Sequence, residues 1–429
     1  MRKLLFLSYY FPPIHVNATV RIKHFFEGFC ENGFQVFVQT GKFPENIPRD
    51  IPSDTGISTI SYVSLPGIRF LFLTFKLTGQ TIPIPWKRKS FVQLLLNGRK
   101  RLPFDLIFGD GGLYYLLSGY LKGLHTIKRH AITHIFTSYS PMTDHFIAFL
   151  LKCRFPYLHW MADFRDLPED IKRPVLLNTF RFKYIFRQMM NKMDAVVTVS
   201  EGLAGELKKF HPDINIYSGC IIEDNLTFLP SHQTSFNINY TGSIYPDSQA
   251  LFPLIRVLLD LIDEGVIHSR DIKWTYCGVH SATFKTWISP YFAEDQMIIS
   301  PLLSNHDASI RQKEAAINLL LTWGTDIQKG ILTTKLFEYL AAGKPILIWT
   351  SGSKEEEMTA IIDQCQPSGY FNAGMDNGMK NWISERYTKW RNNENDFFTR
   401  ENLIKKYGKA GRNHLIKKVS DKTPTRKNT

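Results

Sequence analysis

Residues 333–349 read TTKLFEYLAAGKPILIW, a short helix followed by a strand, and the helix carries Lys335 and Glu338 near its start. Thr333 or Thr334 can cap it, and Gly343-Lys344-Pro345 ends it. A capped helix N-terminus presents unpaired N–H groups and a partial positive charge. Lys335 adds a full one, so this turn suits a phosphate. The plainer alternative is a surface pair at i,i+3, stabilising by about 0.3 kcal/mol. A second cluster is ADFRD (162–166), where Asp163, Arg165 and Asp166 follow an apolar strand. A carboxylate there can orient or deprotonate a hydroxyl, or pair with the arginine and fix the loop. SYSPMTDHF places Ser140 and Pro141 at a strand-to-helix junction with His145 one turn in, either a ligand contact or a satisfied helix histidine. In FPPIHVNATVR, Asn17 and Thr19 open a helix that they cap or through which they meet a ligand. Arg21 faces ligand or solvent, and His15 reads as incidental.

The elements that hold these residues alternate. KLLFLSYY (3–10) is an apolar run without alternation, as in a strand buried on both faces. A helix over 17–33 and the strand FQVFVQTG follow, making a β-α-β unit and hence a parallel sheet. DLIFGDG, THIFTSY, YLHWMADFRD, DAVVTVS and DINIYSG continue as strands, with helices near 113–124, from Pro141 and from Glu201. The polar stretch 223–235 is the expected linker. A second series then runs through FNINYTGSIY, a helix at 249–264, IKWTYCG and AAINLLLTW. The expected domains are 1–222, 236–400 and a C-terminal helix and basic tail over 401–429 that packs back on the first domain. Two doubly wound halves bind their ligand in the cleft between them.

At 429 residues, 44% hydrophobic and 21% charged, the chain has ample core and is not disordered. Its five cysteines lie far apart with no C-x-x-C pair. That excludes a disulfide framework and a zinc site, and fits a cytoplasmic protein. MRKLLFLSYYFPP reads as a first strand rather than a signal peptide. No stretch approaches the ~20 apolar residues of a membrane span. The net charge of +13 is uneven, with 26 Lys/Arg against 13 Asp/Glu in residues 1–200 and 26 of each afterwards. The first half therefore faces an anionic partner.

In order along residues 3–350, these motifs resemble the GT-B glycosyltransferases, specifically glycosyltransferase family 4. The matching pieces are YYFPP…R, SPMTDHFIAFLL, ADFRD, DAVVTVSEGLAGEL, YTGSIY and KLFEYLAAGKPIL. The resemblance implies an α/β GT-B fold, two Rossmann-like domains facing a central cleft. It implies a donor nucleotide whose ribose hydroxyls bond Glu338 and whose diphosphate neighbours Lys335, with Thr333, Thr334, Lys329, Gly330, Gly242 and Ser243 around it. It also implies metal-independent transfer with no cofactor, retention of anomeric configuration, and an acceptor on the first-domain side near Asp163, Arg165, Asp166 and His145. The chain departs from the family at Gly330, where relatives have a second glutamate. Ser243 and Gln249 stand where relatives often have Arg and Lys. Leaving-group charge then falls on Lys335, Lys329 and helix N-termini.

Residues 67–101 contain eight Lys/Arg and no Asp/Glu, interleaved with Phe, Leu, Ile and Trp. Arg69, Lys76, Trp86, Lys87, Arg88 and Lys89 read as an interfacial segment on anionic lipid, or as a solvated basic face. Nucleic acid is the poorer explanation, since no binding motif accompanies the charge. The sequence thus points to a cytoplasmic glycosyltransferase, peripheral at the inner face of a membrane. It would use a nucleotide-sugar donor and a lipid-linked or other saccharide acceptor in surface polysaccharide synthesis. A non-catalytic GT-B partner and a sugar-nucleotide epimerase are the alternatives.

Overall fold

The computed structural model describes residues 1–12, 17–42, 59–63, 112–139, 141–166, 179–219, 234–245, 251–301, 303–323, 332–394, 396–399 and 401–421. The expected strand DLIFGDG, the basic segment 67–101, and His15, Ser140, Gln249, Lys329 and Gly330 lie outside these residues. Two compact units divide between Ser218 and Gly219 and again between Ala410 and Gly411.

The first unit runs β1 (Arg2–Leu7), α1 (Asn17–Glu31), β2 (Phe34–Gly41), β3 (Thr59–Val63), α2 (Leu113–His130), β4 (His134–Ser138), α3 (Thr143–Arg154), β5 (His159–Phe164), α4 (Thr179–Met190), β6 (Ala195–Thr198), α5 (Glu201–Leu207) and β7 (Ile214–Ile216). Its strands form one sheet in the order β3-β2-β1-β4-β5-β6-β7. Every pairing is parallel. Parallel neighbours need a crossover, and each crossover helix buries one apolar face on the sheet. Tyr115 and Ile127 of α2, Ile147 and Leu151 of α3, and Phe186 and Met189 of α4 share one cluster. Phe25, Phe26 and Phe29 of α1 pack with Phe6 and Phe136 in another.

The second unit runs β8 (Phe236–Thr241), α6 (Phe252–Asp263), β9 (Ile272–Cys277), α7 (Ser281–Ile288), β10 (Met297–Ser300), α8 (Asn305–Lys313), β11 (Ile317–Thr322), α9 (Thr334–Ala342), β12 (Ile346–Thr350), α10 (Glu356–Ile362), β13 (Gly369–Asn372), α11 (Asp376–Arg391) and α12 (Glu401–Tyr407). Its sheet has the order β10-β9-β8-β11-β12-β13, again parallel throughout. Helix α12 stays with this unit, where Leu403 and Tyr407 pack with Phe337 of α9.

The last helix, α13 (Lys409–Ser420), carries the chain back to the first unit. Its Leu415, Ile416 and Val419 complete the cluster around Phe25 and Phe29. The Arg412 guanidinium, buried beside α1, donates to the His24 carbonyl at 2.9 Å and to Glu31 at 2.5 Å. The crossing needs Gly28, because a Cβ there would stand 2.5 Å from both Arg412 Nε and Ile416 Cδ1. Burial and the adjacent Arg412 push the His24 imidazole down to about 3, so it stays neutral.

Helix α4 and the strands β3, β10 and β13 are findings beyond the sequence pattern. The four residues of β10 are MIIS, all half-buried at the sheet edge, and an apolar run of three is too short to announce a strand. Among the described residues, no helix is long and apolar enough to cross a membrane. In each sheet the strand order reverses once, between β1 and β4 and between β8 and β11. Ligands of open parallel sheets bind beyond the strand ends at such reversals.

Candidate functional site

At the second reversal, β8 and β11 pair only at Ile238–Ile317 and Asn239–Asn318. A buried asparagine pair closes the ladder, Asn239 Nδ2 donating to Asn318 Oδ1 at 2.7 Å. Beyond it both strands continue, and side chains fill the gap. The Thr241 amide donates to the Tyr339 hydroxyl at 3.1 Å. Gln312 Nε2 donates to Thr241 Oγ1 at 2.8 Å and to Glu338 Oε2 at 3.3 Å. Glu338 is half-buried. Gln312 therefore orients its carboxylate, an acceptor-only group of the kind that pairs with hydroxyls.

The loop after β8 is fixed from several sides. Gly242 adopts φ +116°, a conformation that side chains disfavour. A Cβ there would also come within 2.4 Å of Lys335 Cε. The Gly242 carbonyl accepts from the Tyr276 hydroxyl at 2.9 Å, and the Ile244 amide donates to His280 Nδ1 at 3.2 Å. Burial pushes the Tyr276 phenol up to about 12, so it remains a donor.

Lys335 lies in the first turn of α9. Its ammonium donates to the Tyr240 hydroxyl at 2.6 Å and to the Ser243 carbonyl at 2.8 Å. It also sits 4.2 Å from the Tyr240 ring centroid. Tyr240 in turn donates to the same Ser243 carbonyl at 2.9 Å. Burial pulls Lys335 down to about 8, while Glu338 acts to raise it. Two of its three ammonium donors are thus used by uncharged oxygens, and the third is what an anion can engage.

Thr333 occupies the N-cap position with extended backbone, but its hydroxyl makes no cap bond. That buried hydroxyl has no hydrogen-bond partner among the described residues. The first turn of α9 consequently keeps N–H groups that no cap side chain satisfies. Thr334, Lys335 and Glu338 follow in the same helix, and Gly242 and Ser243 stand beside Lys335. Tyr240, Tyr276, His280 and Gln312 complete the cluster, and sequence reasoning missed all four. They come from β8, the β9 end and α8, and only adjacency to the strand reversal singles them out.

At the first reversal the arrangement is different. Asp163 is the last residue but one of β5 and is fully buried. The Arg21 guanidinium donates to it from Nη2 at 2.7 Å and from Nε at 3.1 and 3.3 Å, and Ser138 Oγ donates at 2.8 Å. Arg21 Nη1 also donates to the Tyr217 carbonyl at 2.8 Å. Asp163 accordingly acts as a buried clamp for α1, β4 and β7, and its oxygens are taken. Its partner is Arg21, not Arg165 of the same motif. Arg165 is half-buried and donates to the Tyr139 carbonyl. Burial lowers its pKa, with Asp163 and Asp166 opposing. Asp166 is exposed.

His145 is fully buried among Tyr139, Trp160 and Phe164. Burial drives it down to about 3, with Asp163 pulling weakly the other way, so it is neutral at ordinary pH. Neither ring nitrogen has a partner in hydrogen-bonding geometry among the described residues. This side chain belongs to the core, where it cannot touch an acceptor. Asp144, its neighbour, was not anticipated. It accepts from the Tyr9 amide at 2.8 Å and the Tyr115 hydroxyl at 2.9 Å, and burial pushes it up to about 7. Thr19 is buried, and α1 begins at Asn17, whose side chain lies outside the described residues.

No family model matches the chain, and no characterised protein is detectably similar to it in sequence. Its structure is similar to several solved ones. Sucrose-phosphate synthase from Thermosynechococcus elongatus superposes with a TM-score of 0.60 at 10% identity, covering 98% of each chain. A variant of S. aureus TarM, in complex with Fondaparinux, alpha-GlcNAc-glycerol and UDP, gives 0.58 at 9%, covering 98% of this chain and 100% of that one. The E. coli trehalose-6-phosphate protein bound with UDP-2-fluoro glucose gives 0.56 at 12%, covering 98% and 100%. Together with the two reversed parallel sheets, these likenesses establish the architecture: the chain has the GT-B fold.

Proposed function

We propose that this protein is a glycosyltransferase that holds a nucleotide-sugar donor on its second unit and moves the sugar to a saccharide acceptor held by the first. The observation that carries this reading is the half-buried Lys335 at the uncapped start of α9, beside a Glu338 oriented by Gln312. A cation with open helix N–H groups suits a diphosphate, and a carboxylate, which only accepts, suits vicinal hydroxyls. Two of the similar structures carry UDP or a UDP-sugar analogue, which supports the same chemistry. Retention of configuration, metal-independent transfer, and a lipid-linked acceptor in surface polysaccharide synthesis at the inner membrane face are part of the proposal. They rest on the family resemblance and the basic segment 67–101. A non-catalytic GT-B partner is the second reading. Ser243 favours it, since a backbone carbonyl meets Lys335 where relatives place an arginine. The sugar-nucleotide epimerase is a third reading, against which the basic segment speaks.

Calorimetric titration with UDP, GDP, ADP and CMP separates the first two readings. One nucleotide should bind, and Glu338→Ala should weaken it about tenfold or more, as expected on losing a hydrogen bond to a charged group. Binding of none of the four favours the partner reading.

A further inference from the structure

Helix α2 seals the first sheet with Tyr115, Gly119, Gly123 and Ile127 and turns its other face outward. On that outer face Leu113, Tyr114, Leu117 and Leu121 are 47, 49, 53 and 65% exposed. His125, Lys128 and Arg129 continue the same face, all exposed. At 3.6 residues per turn these seven positions fall within an arc of roughly 160°, so they form one surface that is apolar first and basic afterwards. The inner face has no room for the leucines to turn inward. A Cβ at Gly119 would stand 2.6 Å from Ile147 Cδ1, and one at Gly123 2.8 Å from Leu151 Cδ1. Single exposed leucines are ordinary, and a basic last turn complements the helix dipole. Neither accounts for four large apolar side chains together in the first half of the face.

We propose that this face of α2 docks the first unit onto an anionic lipid surface. The leucines and Tyr114 would enter the headgroup–acyl boundary while Lys128 and Arg129 meet lipid phosphates. Charge complementarity selects this occupant. The helix has no Asp or Glu, and the stretch 67–101, separated from it by 102–112 with Asp105 and Asp110, has eight Lys/Arg and no acid. A second copy fits less well, because two-fold pairing sets Lys128 and Arg129 against their own copies or against leucines. This inference deepens the membrane part of the proposed function and does not lean on the donor site.

Flotation of the full chain with phosphatidylcholine vesicles, with and without phosphatidylglycerol, tests it. Wild type should bind the anionic vesicles and release in high salt. Leu117→Asp/Leu121→Asp and Lys128→Glu/Arg129→Glu should each cut partitioning at least about tenfold, with melting temperature and nucleotide binding unchanged. Lys87→Ser/Arg88→Ser/Lys89→Ser serves as the comparison. Loss of binding there, with both α2 variants still bound, overturns the α2 assignment and leaves the membrane reading standing. No vesicle binding by wild type overturns both. A dimer in light scattering that Leu117→Asp/Leu121→Asp dissolves, without vesicle binding, makes the face a contact between copies and also overturns the proposal.

Discussion

An ion stands at each strand reversal of this protein, fully buried at the first and half-buried at the second, and the two are treated differently. Near the end of β5, Asp163 is held by the Arg21 guanidinium 2.7 Å away, and the charges cancel within the unit. Beyond β8, the Lys335 ammonium is held by a hydroxyl and a carbonyl that carry no net charge. Dipoles lower the cost of burying Lys335 but leave its field in place, and Glu338 is the charged group that acts on it. A buried ion with a built-in partner fixes loops. A buried ion solvated by dipoles is prepared for a partner that arrives from outside. By this contrast the first reversal is a clamp, and the second is where the proposed donor site lies.

The largest effect expected from this contrast is on stability. Arg21→Ala leaves Asp163 buried without its counter-ion and should cost roughly 3–5 kcal/mol in denaturant unfolding. Unchanged stability would remove the clamp from the comparison.

A smaller effect is written in pH. The Asp144 carboxyl sits at about 7 when folded against 3.8 otherwise, so the fold favours its protonated form. Its contribution is complete below about pH 4 and is lost as pH climbs through 7. His145 runs the other way. With a folded value of about 3 against 6.5, its contribution is present above 6.5 and is lost as pH falls toward 3. Asp144→Asn should flatten the stability profile between about pH 4 and 7 relative to wild type, removing a fall of at most roughly 4 kcal/mol. An identical profile in the variant would show that this carboxyl does not titrate with folding.

The smallest effect belongs to the site. Lys335→Met should leave unfolding nearly unchanged and weaken nucleotide binding about 10- to 100-fold, the worth of a charged hydrogen bond. In wild type, affinity should also fall up to about tenfold between pH 7 and 9 as Lys335 loses its proton near 8. The methionine variant should lack that slope. If it keeps the slope, another group supplies the charge.

Which parts were legible in advance follows from the range of the interactions. Continuous apolar runs such as LLFL and NLLLT announce strands buried on both faces, and their alternation with helices leads to two parallel sheets. The spacing of Lys335 and Glu338 in one turn is local, so the helix and its chemistry could be read together. The pairing of Asp163 could not. The sequence offers it Arg165 two residues away, whereas the fold brings Arg21 across 142 positions and sends Arg165 to Tyr139. Nor does a histidine in a helix announce whether it faces a cleft or a core, and His145 lies in the core because α3 packs that face on Trp160 and Phe164.

The sequence by itself determined what depends on periodicity and local charge: the parallel α/β units and a cationic helix start at 333–338. Tertiary structure alone decided which buried charges are cancelled and which are left open. It set Tyr240, Tyr276, His280 and Gln312 around one loop from separate elements, and it fixed, through Arg412 and Gly28, how the expected returning helix α13 meets α1. Counter-ions and hydrogen-bond partners are chosen by distance in space, and no local pattern encodes that distance.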